Sequence, residues 1–353
     1  MSKPSSPQPD KYQKLPKVEL HRHLEGSIRL STMLEVSQHY GLSLPSDPIE
    51  LSRLVQVQKD DPINAESFLS KFVNIRRFFC APEVIERIMF EAVEDAARDN
   101  IRYMELRFTP VALGRIKQFA LSDVMDWACT AISAASIKHS VTVRLIASVN
   151  RHEAVELAEQ VASLAVERMH KGIVGIDLAG NEEKFAAQPF LPVFKEARRS
   201  GLNIALHAGE WSGPENVRDA IEQFGATRIG HGVRTVEDEA ITRLARERGI
   251  TFEVCVTSNY QTGVCPSIAA HPFRRMLDQK LNATLNTDDP SLSQITLSDE
   301  YRTASEQLNI APDQLRNCIL AAAQAAFLPE AEKAGLVSSL KAELELSLTG
   351  GDW

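Results

Sequence analysis

The chain has 353 residues, 44% of them hydrophobic and 24% charged, values that exclude a disordered or fibrous protein. Its length suits two ordinary domains or one α/β barrel of about 250 residues with additions. Thirty-nine basic against 47 acidic side chains leave a net charge of −8, which argues against a nucleic-acid surface and favours a small-molecule ligand.

Residues 1–14 (MSKPSSPQPDKYQK) lack an apolar leader and are rich in Pro, Ser and Lys, so they read as a disordered N-terminal tail on a cytoplasmic protein. The longest nearly uncharged stretch, Cys318 to Pro329, is Ala-rich and well short of the ~20 apolar residues a membrane helix needs. Five cysteines, Cys80, Cys129, Cys255, Cys265 and Cys318, are widely spaced with no CxxC pair. They are expected to be reduced, buried thiols.

From residue 15 onward, short β-branched or apolar runs alternate with longer amphipathic stretches, the pattern of βα units on a parallel sheet. The strand candidates are Lys17 to Leu20, Ile101 to Phe108, Val141 to Val149, Ile173 to Leu178, Asn203 to Leu206, Thr227 to Ile229, Thr251 to Val256 and Asn282 to Leu285. Helix-like segments between them include Val84 to Arg98, Ser122 to Lys138, Glu153 to His170, Pro214 to Phe224 and Glu237 to Arg248. Eight such units predict one (β/α)8 barrel domain over 15–349. The first connection, His21 to Asn100, is long enough for a helical insertion over the barrel mouth and contains the apolar stretch Phe68 to Cys80. The final segment, Ala311 to Leu348, reads as helices packed outside the barrel.

Catalytic groups of such barrels gather at the C-terminal ends of the strands. There this sequence puts His21, Arg22 and His23 after strand one, Asp177 on strand four, His207 on strand five and His231 on strand six. Ser258 and Asn259 follow strand seven, and Asp288 and Asp289 follow strand eight. His21 and His23, two apart, point to one side of a strand. With His207 and Asp288 they form a donor set suited to Zn²⁺ or another borderline divalent ion. Alone, the HxH pair is better explained by surface or satisfied core histidines; the other two residues change that reading.

Glu210, three residues after His207, is a candidate proton shuttle if burial or anionic neighbours raise its pKa. His231 is flanked by Gly230 and Gly232, which admit close approach of backbone or ligand. The adjacent Asp288 and Asp289 cannot face the same way on an extended chain, so one can meet a metal while the other meets substrate or water.

These residues lie in VELHRHLEGS (18–27), GIDLAGNE (175–182), LHAGE (206–210), RIGHG (228–232), EVCVTSNYQTG (253–263) and LNTDDPS (285–291). In type, order and spread the set resembles the adenosine deaminase family of metal-dependent purine deaminases. The resemblance implies a (β/α)8 barrel with one zinc ion per chain held by His21, His23, His207 and Asp288, which activates a water. It further implies that Glu210 gives a proton to purine N1, that His231 and Asp288 orient and deprotonate the water, and that Asp289 holds N7. The backbone of Gly180 meets N3, and Asp177 and Ser258 support the site or line its wall. Phe68, Leu69 and Phe72 form either a lid or ordinary helix packing.

One departure concerns the sugar. Adenosine-specific members of the family carry Asp two residues after the second histidine; this chain has Glu25, as in relatives acting on adenine or 5′-modified nucleosides. The expected reaction is zinc-dependent deamination of adenosine or 2′-deoxyadenosine, with free adenine or a 5′-modified adenosine as the alternative. A two-metal hydrolase is disfavoured because Asp177, not a lysine, is the polar residue of strand four; Lys171 precedes it. An inactive barrel used for binding is disfavoured because Glu210 and all the metal-ligand candidates are present.

Overall fold

The computed structural model describes residues 10–349. Eight strands pair in parallel in sequence order: β1 Lys17–His23, β2 Ile101–Phe108, β3 Thr142–Asn150, β4 Ile173–Ala179, β5 Asn203–Ala208, β6 Arg228–His231, β7 Thr251–Val254 and β8 Asn282–Leu285. They are buried along almost their whole length, because helices cover the outer face while side chains fill the inner one.

The ring closes between β8 and β1 by an unusual device. Asn286 Oδ1 accepts from the backbone amides of Leu20 (2.8 Å) and His21 (3.1 Å), standing where a strand carbonyl would be. Just beyond, the Asp288 amide donates to His21 O (3.0 Å) and the His23 amide donates to Asp288 O (2.7 Å). Asp288 takes a φ of +64° to make this turn. Left-handed backbone in a non-glycine residue is costly and concentrates where function over-determines the geometry. The helix Pro312–Ala325 packs against both β8 and β1, behind the seam.

The first connection carries the expected insertion: helices Leu30–His39, Pro48–Val55, Ala65–Ser70, Phe72–Ile75 and Pro82–Arg98. Its apolar stretch divides its labour. Ile75, Phe78 and Phe79 are fully buried in the core, whereas Phe68, Leu69 and Phe72 face the cavity described below.

Three sequence expectations need correction. Residues 1–9 lie outside the described residues, but Lys11–Lys14 is a helical turn and not tail. Asp10 caps it by accepting from the amides of Tyr12 and Gln13, and Tyr12 is buried. Strand seven stops at Val254; Ser258 and Asn259 sit on the short helix Val256–Gln261. That helix begins where it does because the Glu300 carboxylate accepts from the amides of Val256 (2.9 Å) and Thr257 (3.0 Å). Finally, Pro214 to Phe224 is an α-helix only to Asp219, followed by a π turn over Ala220–Phe224.

Candidate active site

The strand ends bring the four candidate ligands to one point. His23 Nε2 lies 3.2 Å from His21 Nε2, 3.3 Å from His207 Nε2 and 3.3 Å from Asp288 Oδ1. His21 Nε2 is 3.3 Å from Asp288 Oδ1. A tetrahedral ion bonded at ~2.0–2.2 Å needs donors roughly 3.3–3.6 Å apart, so this set fits a divalent cation. On distance alone His231 competes for a place, since His21, His207, His231 and Asp288 offer ligand atoms all within 4.8 Å of one another.

Carboxylates behind the imidazoles decide which nitrogen is free. His21 Nδ1 is 2.9 Å from Glu253 Oε2, and His207 Nδ1 is 2.9 Å from Asp177 Oδ1. A carboxylate accepts, so each Nδ1 bears hydrogen and each Nε2 keeps a lone pair for a metal. Burial alone would raise Asp177 and Glu253. The facing His207 imidazole for Asp177, and Arg107 with Arg228 for Glu253, instead hold both well below the usual carboxylate range.

Burial likewise opposes ionisation of Asp288, yet the adjacent His21 ring and the other imidazoles around it hold it far below its ordinary value. His21 is pushed up, because Asp288 and Glu253 outweigh its burial and the Arg107 charge. His23 is pushed down to about 3, chiefly by burial. The point where these atoms converge thus favours a positive charge that His23 does not supply.

Around it lies a cavity of about 670 Å³, open mouth included. Its lining includes His23, His207, His231, Ser258, Asp288 and Asp289, with Glu25, Gly180 and Glu210 and the apolar Phe68, Leu69 and Phe72. His21 and Asp177 do not line it: His21 is fully buried at the candidate metal cluster, and Asp177, expected to support the site or line its wall, is fully buried behind His207 and so can act only as support. Ser258 Oγ donates to Asp288 Oδ2 (2.7 Å), fixing the oxygen that faces away from His21 and His23.

Three of the buried carboxyl groups that line this space each keep, among the described residues, one oxygen without a hydrogen-bond partner: Glu25 Oε2, Glu210 Oε1 and Asp289 Oδ1. Buried polar atoms are almost always partnered, so orphans on residues that line a cavity are candidates to bond a ligand there. Burial first, then Asp288 and Glu182, push Glu210 well up; burial and Asp288, then Glu25 and Glu210, push Asp289 up. Burial raises Glu25, whose other oxygen accepts from the Thr109 amide (3.0 Å). Gly26 is required here because a Cβ would fall 1.9 Å from Asp289 Oδ1.

Sequence reasoning missed the residues that hold these groups. The Glu182 carboxylate accepts from the amides of Gly209, Glu210, Trp211 and Ser212 and from Asn216 Nδ2, at 2.6–3.0 Å, and so fixes the turn that carries Glu210. Glu253, Arg107 and Arg228 also went unread, though charges inside otherwise apolar strands (MELRF, RIGH, EVCV) were the available signal. Arg76, Thr109, Asn150, Trp211 and Thr262 complete the cavity wall.

The sequence profile described as adenosine deaminase matches residues 16–343. An adenosine deaminase of Klebsiella pneumoniae (strain 342) is 37% identical over 325 residues, covering 92% of this chain and 97% of the relative. Among solved structures, an Arabidopsis N6-mAMP deaminase superposes with a TM-score of 0.84 at 29% identity, covering 94% of this chain and 99% of that one. An amidohydrolase from Burkhoderia ambifaria, solved with bound Zn, shares the fold with a TM-score of 0.88 at 24% identity, covering 96% and 93%.

Proposed function

The chain belongs to the adenosine deaminase family, hydrolases acting on C–N bonds of cyclic amidines, and from that premise we propose that it deaminates a 6-aminopurine nucleoside, adenosine or 2′-deoxyadenosine, with release of ammonia. The observation that carries this reading is the set of three orphaned carboxyl oxygens on residues that line one cavity beside the imidazole cluster. A nucleoside offers what they lack: ring nitrogens at one end and hydroxyl donors at the other.

The family is metal-dependent, and we assign the ion to His21, His23, His207 and Asp288, as one zinc per chain. When bound, such an ion lowers the pKa of a water from 15.7 to about 7. The protein's own groups do the rest. Glu210, whose hold on a proton is strengthened by burial and by anionic neighbours, donates to N1 and makes C6 electrophilic. Asp289, also raised, hydrogen-bonds N7, and the Gly180 backbone meets N3. Asp288 Oδ2 and His231 Nε2, 3.9 Å apart, flank the side from which water attacks C6. The proton taken from the water by Asp288 goes on to the amino nitrogen, the C6–N bond breaks and ammonia leaves from the tetrahedral carbon. Phe68, Leu69 and Phe72 shield the reacting atoms from bulk water, which strengthens every charge interaction inside.

Glu25 favours a second reading of the sugar end. Its longer side chain, buried and with one free oxygen, suits adenine or a 5′-modified adenosine as well as the 5′-hydroxyl. The test is ammonia release by the zinc-loaded protein from adenosine, 2′-deoxyadenosine, adenine and 5′-modified adenosines in parallel. Preference for the two nucleosides is expected; turnover confined to adenine or a 5′-modified substrate would move the assignment, and inactivity on all four would end it. Chelation should abolish turnover, and one zinc per chain should restore it.

A further inference from the structure

Behind His231 runs a chain of hydrogen bonds that starts from a donor of fixed sense. The backbone amide of Phe273 lies 3.0 Å from His271 Nδ1. A backbone N–H can only donate, so His271 Nδ1 carries a lone pair. A histidine with one bare nitrogen bears its hydrogen on the other, and His271 Nε2 therefore donates to Asn259 Oδ1, 3.2 Å away. That fixes the amide of Asn259 as well: its Nδ2 faces His231 Nδ1 at 3.1 Å and donates to it. His231 Nδ1 is an acceptor, which leaves the hydrogen on Nε2, the nitrogen that faces the cavity.

We propose that Asn259 and His271 are positioning residues that lock His231 in the tautomer carrying hydrogen on Nε2. The inference rests on the catalytic reading of His231 above, and it separates the histidines into two kinds. His21 and His207 are backed by carboxylates and present a lone pair to a cation. His231 is backed by an amide donor and presents an N–H. It is thereby unfit to ligate through Nε2, which removes it from competition with His23 for the fourth place in the metal set. Its Nε2–H stands 3.9 Å from Asp288 Oδ2 and 3.7 Å from Glu210 Oε2, where it can donate to the attacking oxygen. The proton of the water then passes to Asp288 and not to His231. All three relay side chains, His231, Asn259 and His271, are buried, so water cannot reverse the sense of the chain. The helix Val256–Gln261 and the segment around Phe273 thus act on the reaction through one hydrogen.

Asn259→Asp is close to isosteric and tests the proposal, because a carboxylate accepts from both histidines and moves the His231 hydrogen to Nδ1. A tautomer reversed in this way costs on the order of 10⁴ in kcat in a serine-protease triad, and a loss of about 10³–10⁴ is expected here, with KM and zinc content held. His271→Gln, which removes the anchor but not Asn259, is expected to cost about 10- to 100-fold. Nitrogen-15 NMR of histidine-labelled, zinc-loaded protein reads the hydrogen directly: on Nε2 of His231 in the parent, on Nδ1 in Asn259→Asp. A parent signal with hydrogen on Nδ1 overturns the proposal, as does full activity once the hydrogen has moved. The parent spectrum is decisive even if the variant does not fold. It is equally decisive if no purine is turned over, so failure of the substrate reading and failure of the relay remain distinct.

Discussion

Two layers of the barrel interior contain charge and treat it in opposite ways. In the layer beneath the site, Glu105, Arg107, Arg228 and Glu253 are fully buried and close on one another: Arg107 and Arg228 both bind Glu253, Arg228 also binds Glu105, and its guanidinium rests 3.6 Å from the centre of the Phe327 ring. At the mouth, Glu25, Glu210 and Asp289 are almost as buried, yet each keeps an oxygen without a partner. Matched cations hold the lower carboxylate Glu253 well below the usual carboxylate range; burial without them pushes the upper three up. The same residue types thus serve as a strut below and, on the proposed reading, as a reagent above, and the difference lies in their company.

The comparison breaks most severely at Glu210. Glu210→Gln keeps the shape and should keep zinc, yet is expected to lose about 10²–10⁴-fold in kcat, the usual worth of a positioned acid; steady-state kinetics with metal analysis checks this. A loss below tenfold would remove Glu210 from its role. In the lower layer, Arg107→Met leaves Glu253 with one cation fewer and is expected to cost about 3–5 kcal/mol of stability, as buried pairs do when one partner goes, measurable by chemical denaturation. An unchanged midpoint would mean that the strut is dispensable.

The smallest effect sharpens the boundary between the two layers. Glu300 is buried and has amide donors but no cation, and burial pushes it up to about 7 despite those amides. A carboxyl raised on folding contributes stability that is full below its ordinary value of 4.5 and is lost as the pH rises through about 7. Stability should therefore decline across that window, and Glu300→Gln should flatten the decline; a parallel slope in parent and variant would assign the effect elsewhere.

Much of this was legible beforehand. Eight strand candidates and the polar residues at their ends sufficed to draw His21, His23, His207, His231 and Asp288 together, because a barrel converts strand termini into neighbours. The lower layer was not legible. Arg107 and Glu253 are 146 residues apart, and nothing local in MELRF or EVCV names the partner. Asn259 was read as the end of a strand because Thr251 to Val256 is β-branched and apolar; the helix start is dictated by Glu300, more than 40 residues downstream. Lys11–Lys14 was taken for tail on composition, although Asp10 and the single buried ring of Tyr12 hold it in place.

The seam between β8 and β1 also sets an order of events. His21 and His23 leave one side of it and Asp288 the other, and the hydrogen bonds that join them span 265 or more residues of chain. A growing polypeptide carries its first two candidate ligands from the outset but cannot present them with the fourth until residue 288 has been added. Contacts so distant in sequence form late. The ion's binding place therefore comes into being together with the finished ring, and an unfinished chain has no complete site with which to trap a cation.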